Sequence, residues 1–189
     1  MGGRGATMAR GSTLRMTMEF LEAECSPADI AEMVGELKPA SRKIVDGAKV
    51  TDEVPLRVAL ELWRSIDRRL RDRDPQWVER AGAFAIEKAG QRLYRGLLRK
   101  ASPLEFLTQQ ISLFQRYYRP GDMILMEEAD GWASTRLLGF ASTDSLFCRR
   151  LTGGWHAALE IAGGRNVSVR HPRCVNEGDL FCEWSLVWE

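Results

Sequence analysis

The chain has 189 residues, 44% of them apolar and 28% charged, with 27 Lys and Arg against 26 Asp and Glu. A chain of that length buries roughly 70% of its unfolded surface, so it needs neither disulfides nor a metal as a staple. The formal charge of +1 gives no electrostatic footprint for nucleic acid. Apolar runs stop at about four residues, as in Met123-Ile124-Leu125-Met126, far short of the ~20 that span a bilayer. The expectations are no nucleic acid, no membrane span and, without a continuous apolar segment near the start, a cytoplasmic protein.

Residues 1–18 read as a flexible tail and 19–189 as one domain, with no internal repeat and no Pro/Gly/Ser linker. Arg15 to Ala23 alternates weakly and reads as a first strand. Ser26-Pro27 supplies an N-cap and a first-turn proline for a helix to about Leu37, while Ser41 to Val50 is open between strand and loop. From Pro55, Ala59, Trp63, Ile66 and Leu70 recur at helical spacing. Asp74-Pro75 starts a second helix, whose stripe Val78, Ala81, Ala85, Ala89, Leu93 and Leu97 is built of small residues toward its N-terminal half. Ser102-Pro103 opens a third, with Leu104, Leu107, Ile111, Phe114 and Tyr118 on one face and Pro120-Gly121 as its stop. Met123 to Glu128 and Trp132 to Phe140 then read as two strands around Ala129-Asp130-Gly131. Asp144 precedes another helix, which ends at Gly163-Gly164. Two β-like runs, Asn166 to Arg170 and Leu180 to Trp188, close the chain, and in the second Cys182, Trp184, Leu186 and Trp188 make the apolar face. The class is α+β, with helices packed on one mainly antiparallel sheet.

Three of the four cysteines lie from Cys148 onward. Cys174 and Cys182 bracket the turn between the last two strands, His171 stands three residues before Cys174, and Cys148 sits on the preceding helix. A helix packed on that hairpin brings Cys148, His171, Cys174 and Cys182 together. Thiolates and a neutral imidazole suit a tetrahedral zinc, and four protein ligands leave no open position, so such a site is structural. The plainer reading is that these thiols fill core volume, as free cysteines often do.

The segment FCRRLTGGWHAALEIAGGRNVSVRHPRCVNEGDLFCEWSLVW, a Cys-bearing helix rich in Gly and Ala followed by a strand, a Cys, a Gly-Asp turn, a Cys and an alternating strand, resembles the 4-vinyl reductase domain family. That family shares its fold with TRAPP vesicle-tethering subunits and haem nitric-oxide sensor domains. The resemblance implies zinc held by Cys148, Cys174 and Cys182, with His171 where members that sense aromatic compounds place a carboxylate. The whole chain, with EVPLRVALELWRSIDRRL and YRGLLRKASPLEFL, also resembles an uncharacterised paralogous family expanded in myxobacteria.

No GxGxxG, P-loop, GxSxG or HExxH is present, so no enzyme is expected. Cys148 and His156 are eight residues apart on one helix, about 12 Å at 1.5 Å per residue, too far for a nucleophile pair. Haem nitric-oxide sensors use a helical His and a Tyr-x-Ser-x-Arg clamp; the clamp reads as absent here, and haem is set aside. The expected function is a zinc-stabilised sensor of an apolar or aromatic small molecule. Its pocket would be lined by Phe84, Phe114, Tyr117, Trp132, Phe140, Phe147 and Trp155, although such rings are commonly plain core. The alternative is a TRAPP-like scaffold that pairs with a second copy, or with a protein partner, along the Ala81, Ala85 and Ala89 face.

Overall fold

The computed structural model describes residues 6–93, 102–140 and 144–189. The expected tail is ordered from Met8, because β1 (Met8–Arg10) runs antiparallel between β2 (Glu53–Pro55) and β3 (Tyr118–Arg119). The expected first strand is instead the C-terminal part of α1 (Gly11–Glu24). Leu14, Met16, Met18 and Phe20 alternate like a strand, yet the fold leaves Met16 and Met18 half-buried and buries Leu14, Thr17 and Leu21, the helical spacing, with Gly11, Thr13 and Phe20 beside them.

Two short helices follow. In α2 (Pro27–Gly35) the Ser26 hydroxyl accepts from the Asp29 amide at 3.2 Å, as the Ser-Pro signal predicts. The stretch open between strand and loop forms α3 (Pro39–Gly47), with Ser41 and Val45 buried one turn apart. The amphipathic helix is α4 (Leu56–Leu70), and its Trp63 and Ile66 are fully buried. Glu36, just past α2, ties that helix to α4 by accepting from Ser65 Oγ at 2.8 Å, Arg68 at 2.6 Å and Arg69 at 3.2 Å. Hydrogen bonds from Arg68 above all, with those from Ser65 and Arg69, hold the Glu36 carboxyl down at about 2.

The second half pairs α5 (Trp77–Leu93) with α7 (Ser145–Ile161). The Asp144 side chain caps α7, accepting from the Leu146 amide at 2.9 Å. A capping box of Ser102 and Glu105 begins α6 (Pro103–Tyr117). β4 (Asp122–Ala129) turns through Gly131, φ 75°, into β5 (Trp132–Leu138). β6 (Ser168–Arg173) and β7 (Cys182–Val187) complete an antiparallel sheet of order β4-β5-β7-β6. The α+β class is as expected, but the described residues form two antiparallel sheets where one was expected. Bulges interrupt the outer strands, between Leu125 and Glu127 in β4 and between Arg170 and Arg173 in β6. The apolar face of β7 is buried at Cys182, Trp184, Leu186 and Trp188. Leu97 lies outside the described residues.

The N-terminal end of the small-residue stripe of α5 packs within the chain, while Ala85 and Ala89 are half-buried. Ala81 is fully buried, and beside it Gly82 lies against the Arg150 carbonyl of α7, while Gly153 of α7 lies against the Glu79 carbonyl of α5. The two backbones meet with no side chain between them.

Gly153→Ala puts a methyl onto the Glu79 carbonyl and is expected to cost at least about 2 kcal/mol in chemical denaturation. Gly35→Ala, with open space around its would-be methyl, changes stability by under about 1 kcal/mol. Glu36 is a depressed carboxyl, so its contribution is complete above the ordinary carboxylate pKa and is lost as pH falls through about 2. Glu36→Gln therefore lowers Tm at pH 7, and the gap to the parent narrows in melts between pH 4.5 and pH 2.

Candidate functional site

Three elements converge on one buried point. Cys148 comes from the second turn of α7, His171 from β6 and Cys182 from the first position of β7, while Cys174 follows β6 directly. A tight turn sets Cys174. Its amide donates to the Asp179 carboxylate at 2.8 Å, its carbonyl accepts from the Asp179 amide at 3.1 Å, and Gly178 at φ 100° closes the turn. The His171 ring stacks on Trp184 at 4.4 Å and 22°. Trp184 Nε1 in turn donates to Thr152 Oγ1 at 2.9 Å, and Thr152 donates to the Cys148 carbonyl at 3.1 Å.

The sulfur of Cys148 lies 3.7 Å from that of Cys182 and 3.9 Å from that of Cys174, and one donor atom from each of the four residues lies within 4.8 Å of the others. A tetrahedral ion with metal–sulfur bonds of about 2.3 Å sets sulfur–sulfur edges near ~3.8 Å. All four cysteines are free thiols. His171 Nε2 is enclosed and has no hydrogen-bond partner among the described residues, the state of a nitrogen whose lone pair is available to an ion. The four residues named from sequence are thus brought together.

The cluster polarises itself. A hydrogen bond from Cys148, helped by the facing His171, pulls the Cys182 thiol below the usual thiol range against the opposing effect of burial. Cys148 is pushed far up, first by donating to Cys182 and then by burial. Asn176 Nδ2 adds a donor 3.5 Å from the Cys174 sulfur. Asn176, Asp179 and Thr152 escaped the sequence reading, although Asp179 in its Gly-Asp turn was a legible signal.

The seven pocket candidates do not converge. Phe114, Phe140 and Phe147 pack ring on ring with Tyr118, at centroid separations of 5.4 Å for Phe114–Tyr118, 5.8 Å for Phe114–Phe140, 4.6 Å for Phe140–Phe147 and 5.0 Å for Tyr118–Phe147. These rings fill the interior themselves. Phe84 packs on Phe20 of α1 at 5.7 Å. Tyr117 lies at the end of α6 beside Met8 and Arg10. Trp132 lies on the face of β5 opposite the buried Ala133 and Thr135, where its Nε1 donates to Ser185 at 3.3 Å. Trp155 is buried in α7, and its Nε1 has no partner among the described residues.

No family model matches the chain, and no curated protein matches it. Solved structures do. An H-NOX protein from Shewanella oneidensis in its Fe(II)NO ligation state is 13% identical with a TM-score of 0.72, covering 95% of this chain and 99% of that one. The Fe(II) unliganded H-NOX protein from K. algicida is 9% identical, with a TM-score of 0.70 and coverages of 95% and 96%. A structure described by the modulation of heme redox potential through porphyrin distortion is 10% identical, with a TM-score of 0.66 and coverages of 95% and 99%. The chain has the H-NOX fold.

Three expectations are corrected by these findings. The 4-vinyl reductase/TRAPP-like assignment gives way, since the structures that match are H-NOX proteins and no family model supports the former. The functions drawn from it, a zinc-stabilised sensor of an apolar or aromatic compound and a TRAPP-like scaffold, fall with it, and the haem-sensor branch set aside from sequence is the one whose fold is found. Zinc as cofactor falls too: the neighbours are named for iron and heme, and what this chain retains is the donor cluster.

Haem itself does not fit the residues present. The chain has two histidines. His171 belongs to the thiol cluster, and His156 is half-exposed on α7, with Nδ1 3.3 Å from Glu160. α6 carries no His and no Cys. The clamp spacing survives on β5 as Trp132-x-Ser134-x-Arg136, a partial match that sequence reading missed, but Trp replaces Tyr. Arg136 is engaged by Glu183 at 2.5 Å and lies 4.3 Å above the Phe181 ring. Purified protein mixed with equimolar hemin is expected to show no stoichiometric Soret band; a one-to-one band abolished by His156→Ala would overturn this.

Proposed function

We propose that the chain is a non-enzymatic signalling domain on the H-NOX fold, whose responsive centre is the Cys148, His171, Cys174 and Cys182 cluster holding one thiophilic transition-metal ion. The observation that carries this reading is the convergence of four donor atoms within 4.8 Å, with His171 Nε2 left unpartnered. Soft thiolates with one imidazole select ions that prefer sulfur to oxygen. The ligands come from a helix, a strand end, a turn and a second strand, so filling the centre ties α7 to the β6–β7 hairpin, and emptying it frees them. Binding energy at such a centre is folding energy. A cytoplasmic setting, which keeps thiols reduced, suits it. No described helix is long and apolar enough to cross a membrane. The chain acts by binding, in keeping with a sequence that lacks a standard nucleophile or nucleotide fingerprint, and passes its state to a protein partner or a second copy.

The test is metal content by plasma mass spectrometry on untagged protein, with cobalt titration of the stripped chain followed by thiolate-to-cobalt charge-transfer absorption. The expected result is one ion per chain, with cobalt binding lost in Cys174→Ser and weakened in His171→Ala. Circular dichroism checks that both variants remain folded. Well-folded wild-type protein that carries no metal and takes up no cobalt would overturn the reading.

A further inference from the structure

On α7, two residues beyond Cys148, a second polar group faces the interior with a nitrogen that finds no hydrogen-bond partner among the described residues. Arg150 is 6% exposed. Its guanidinium lies 5.1 Å above the Trp63 ring, and its Nη1 has no hydrogen-bond partner among the described residues. The contrast with its neighbour is direct: Arg149 is held by both carboxylate oxygens of Glu79, at 2.6 and 2.7 Å. No ion pair among the described residues involves Arg150, and positions 1–5, 90–101 and 141–143 contain no Asp or Glu. Tyr118 is the ionisable group whose field bears on it.

Around it runs a short polar chain in an otherwise apolar core. Trp63 Nε1 donates to Thr17 Oγ1 at 3.0 Å, Thr17 donates to the Thr13 carbonyl at 2.8 Å, and Thr13 Oγ1 donates to Tyr118 Oη at 3.4 Å. With Tyr118 accepting there, its own proton is free for another acceptor. Guanidinium does not give up its proton in proteins, and an enclosed cation without a counter-ion is costly to bury. Arg150 Nη1 thus lacks an acceptor among the described residues, Tyr118 offers a second proton, and the sign of the missing group is fixed as negative.

We propose that Arg150 marks an internal anion site, in which a small monoanion accepts from Arg150 Nη1 and from the Tyr118 hydroxyl, beside the Trp63 ring. The apolar ring walls exclude a large or doubly charged ion, whose desolvation one guanidinium does not offset. A halide and the carboxylate of a small organic acid share the required chemistry. The site is separate from the thiol cluster and stands whether or not that cluster takes a metal.

The test uses the full chain in chloride-free sulfate buffer at fixed ionic strength, titrated separately with bromide, formate and propionate. Thermal unfolding and tryptophan fluorescence are the readouts, the latter because Trp63 lies against the guanidinium. Saturable stabilisation with a fluorescence change is expected, lost in Arg150→Met and kept in Arg149→Met. Saturation by formate or propionate but not bromide identifies a carboxylate; saturation by bromide as well identifies a small inorganic anion. If Arg150→Met does not fold, Arg150→Lys carries the test and is expected to weaken saturation by about tenfold or more, since the fork geometry is lost. No saturable response to any of the three anions, or an unchanged response in the Arg150 variant, would overturn the site.

Discussion

The close crossing of α5 and α7 governs the second half of the molecule. Gly82 and Gly153 each lie against a backbone carbonyl of the opposite helix, so the two axes come as near as backbone atoms allow. That fixes the rotation of α7 about its own axis and, with it, the direction of every side chain the helix carries. Phe147 goes to the ring cluster, Cys148 to the thiols, Arg149 to Glu79 of α5 and Arg150 to Trp63 of α4. Four consecutive residues, one full turn, thus address four environments. A looser crossing would leave that assignment to side chains alone.

The fold and the chemistry diverge. H-NOX structures set the architecture to which this chain is similar, and their names speak of iron and heme. Here the interior is filled by Phe114, Tyr118, Phe140 and Phe147 in mutual contact, α6 brings no histidine, and the arginine at the clamp spacing is spent on Glu183. The clustered donor atoms lie instead where α7 meets the β6–β7 hairpin, with three cysteines and a histidine together. A scaffold can keep its layers while its chemistry relocates, because packing asks only for volume and pattern whereas a site asks for particular atoms.

What was legible in the sequence follows the strength of local signals. Ser26-Pro27, Ser102-Pro103 and Asp144 each cap the helix they announce, because a cap is a short-range contact between a side chain and the next turn. The four cluster residues were legible from chain order, since a strand-turn-strand return forces Cys174 and Cys182 together. α1 was not, because its apolar residues alternate while its tertiary neighbours select the helical set. Nor was α3, a nine-residue helix that buries only Ser41 and Val45 and whose N-cap, Lys38, makes no side-chain hydrogen bond. Arg150 was invisible for a different reason: beside Arg149 it looks like half of a solvated basic pair, and only the rotation of α7 buries it. The rings named as pocket lining show the same limit, since an apolar stripe does not say whether the space it faces is empty.

The bulges in the outer strands bear on how the chain meets others. A sheet grows by offering a row of unpaired amides and carbonyls along its edge. β6 breaks that row at its bulge, within which Pro172 has no amide to offer. β4 breaks it at Met126 and continues into exposed Glu127 and Glu128. Both borders of the four-stranded sheet are therefore poor templates for a further strand. The same blunting guards a thiol-rich, strand-rich C-terminus against growing into fibres.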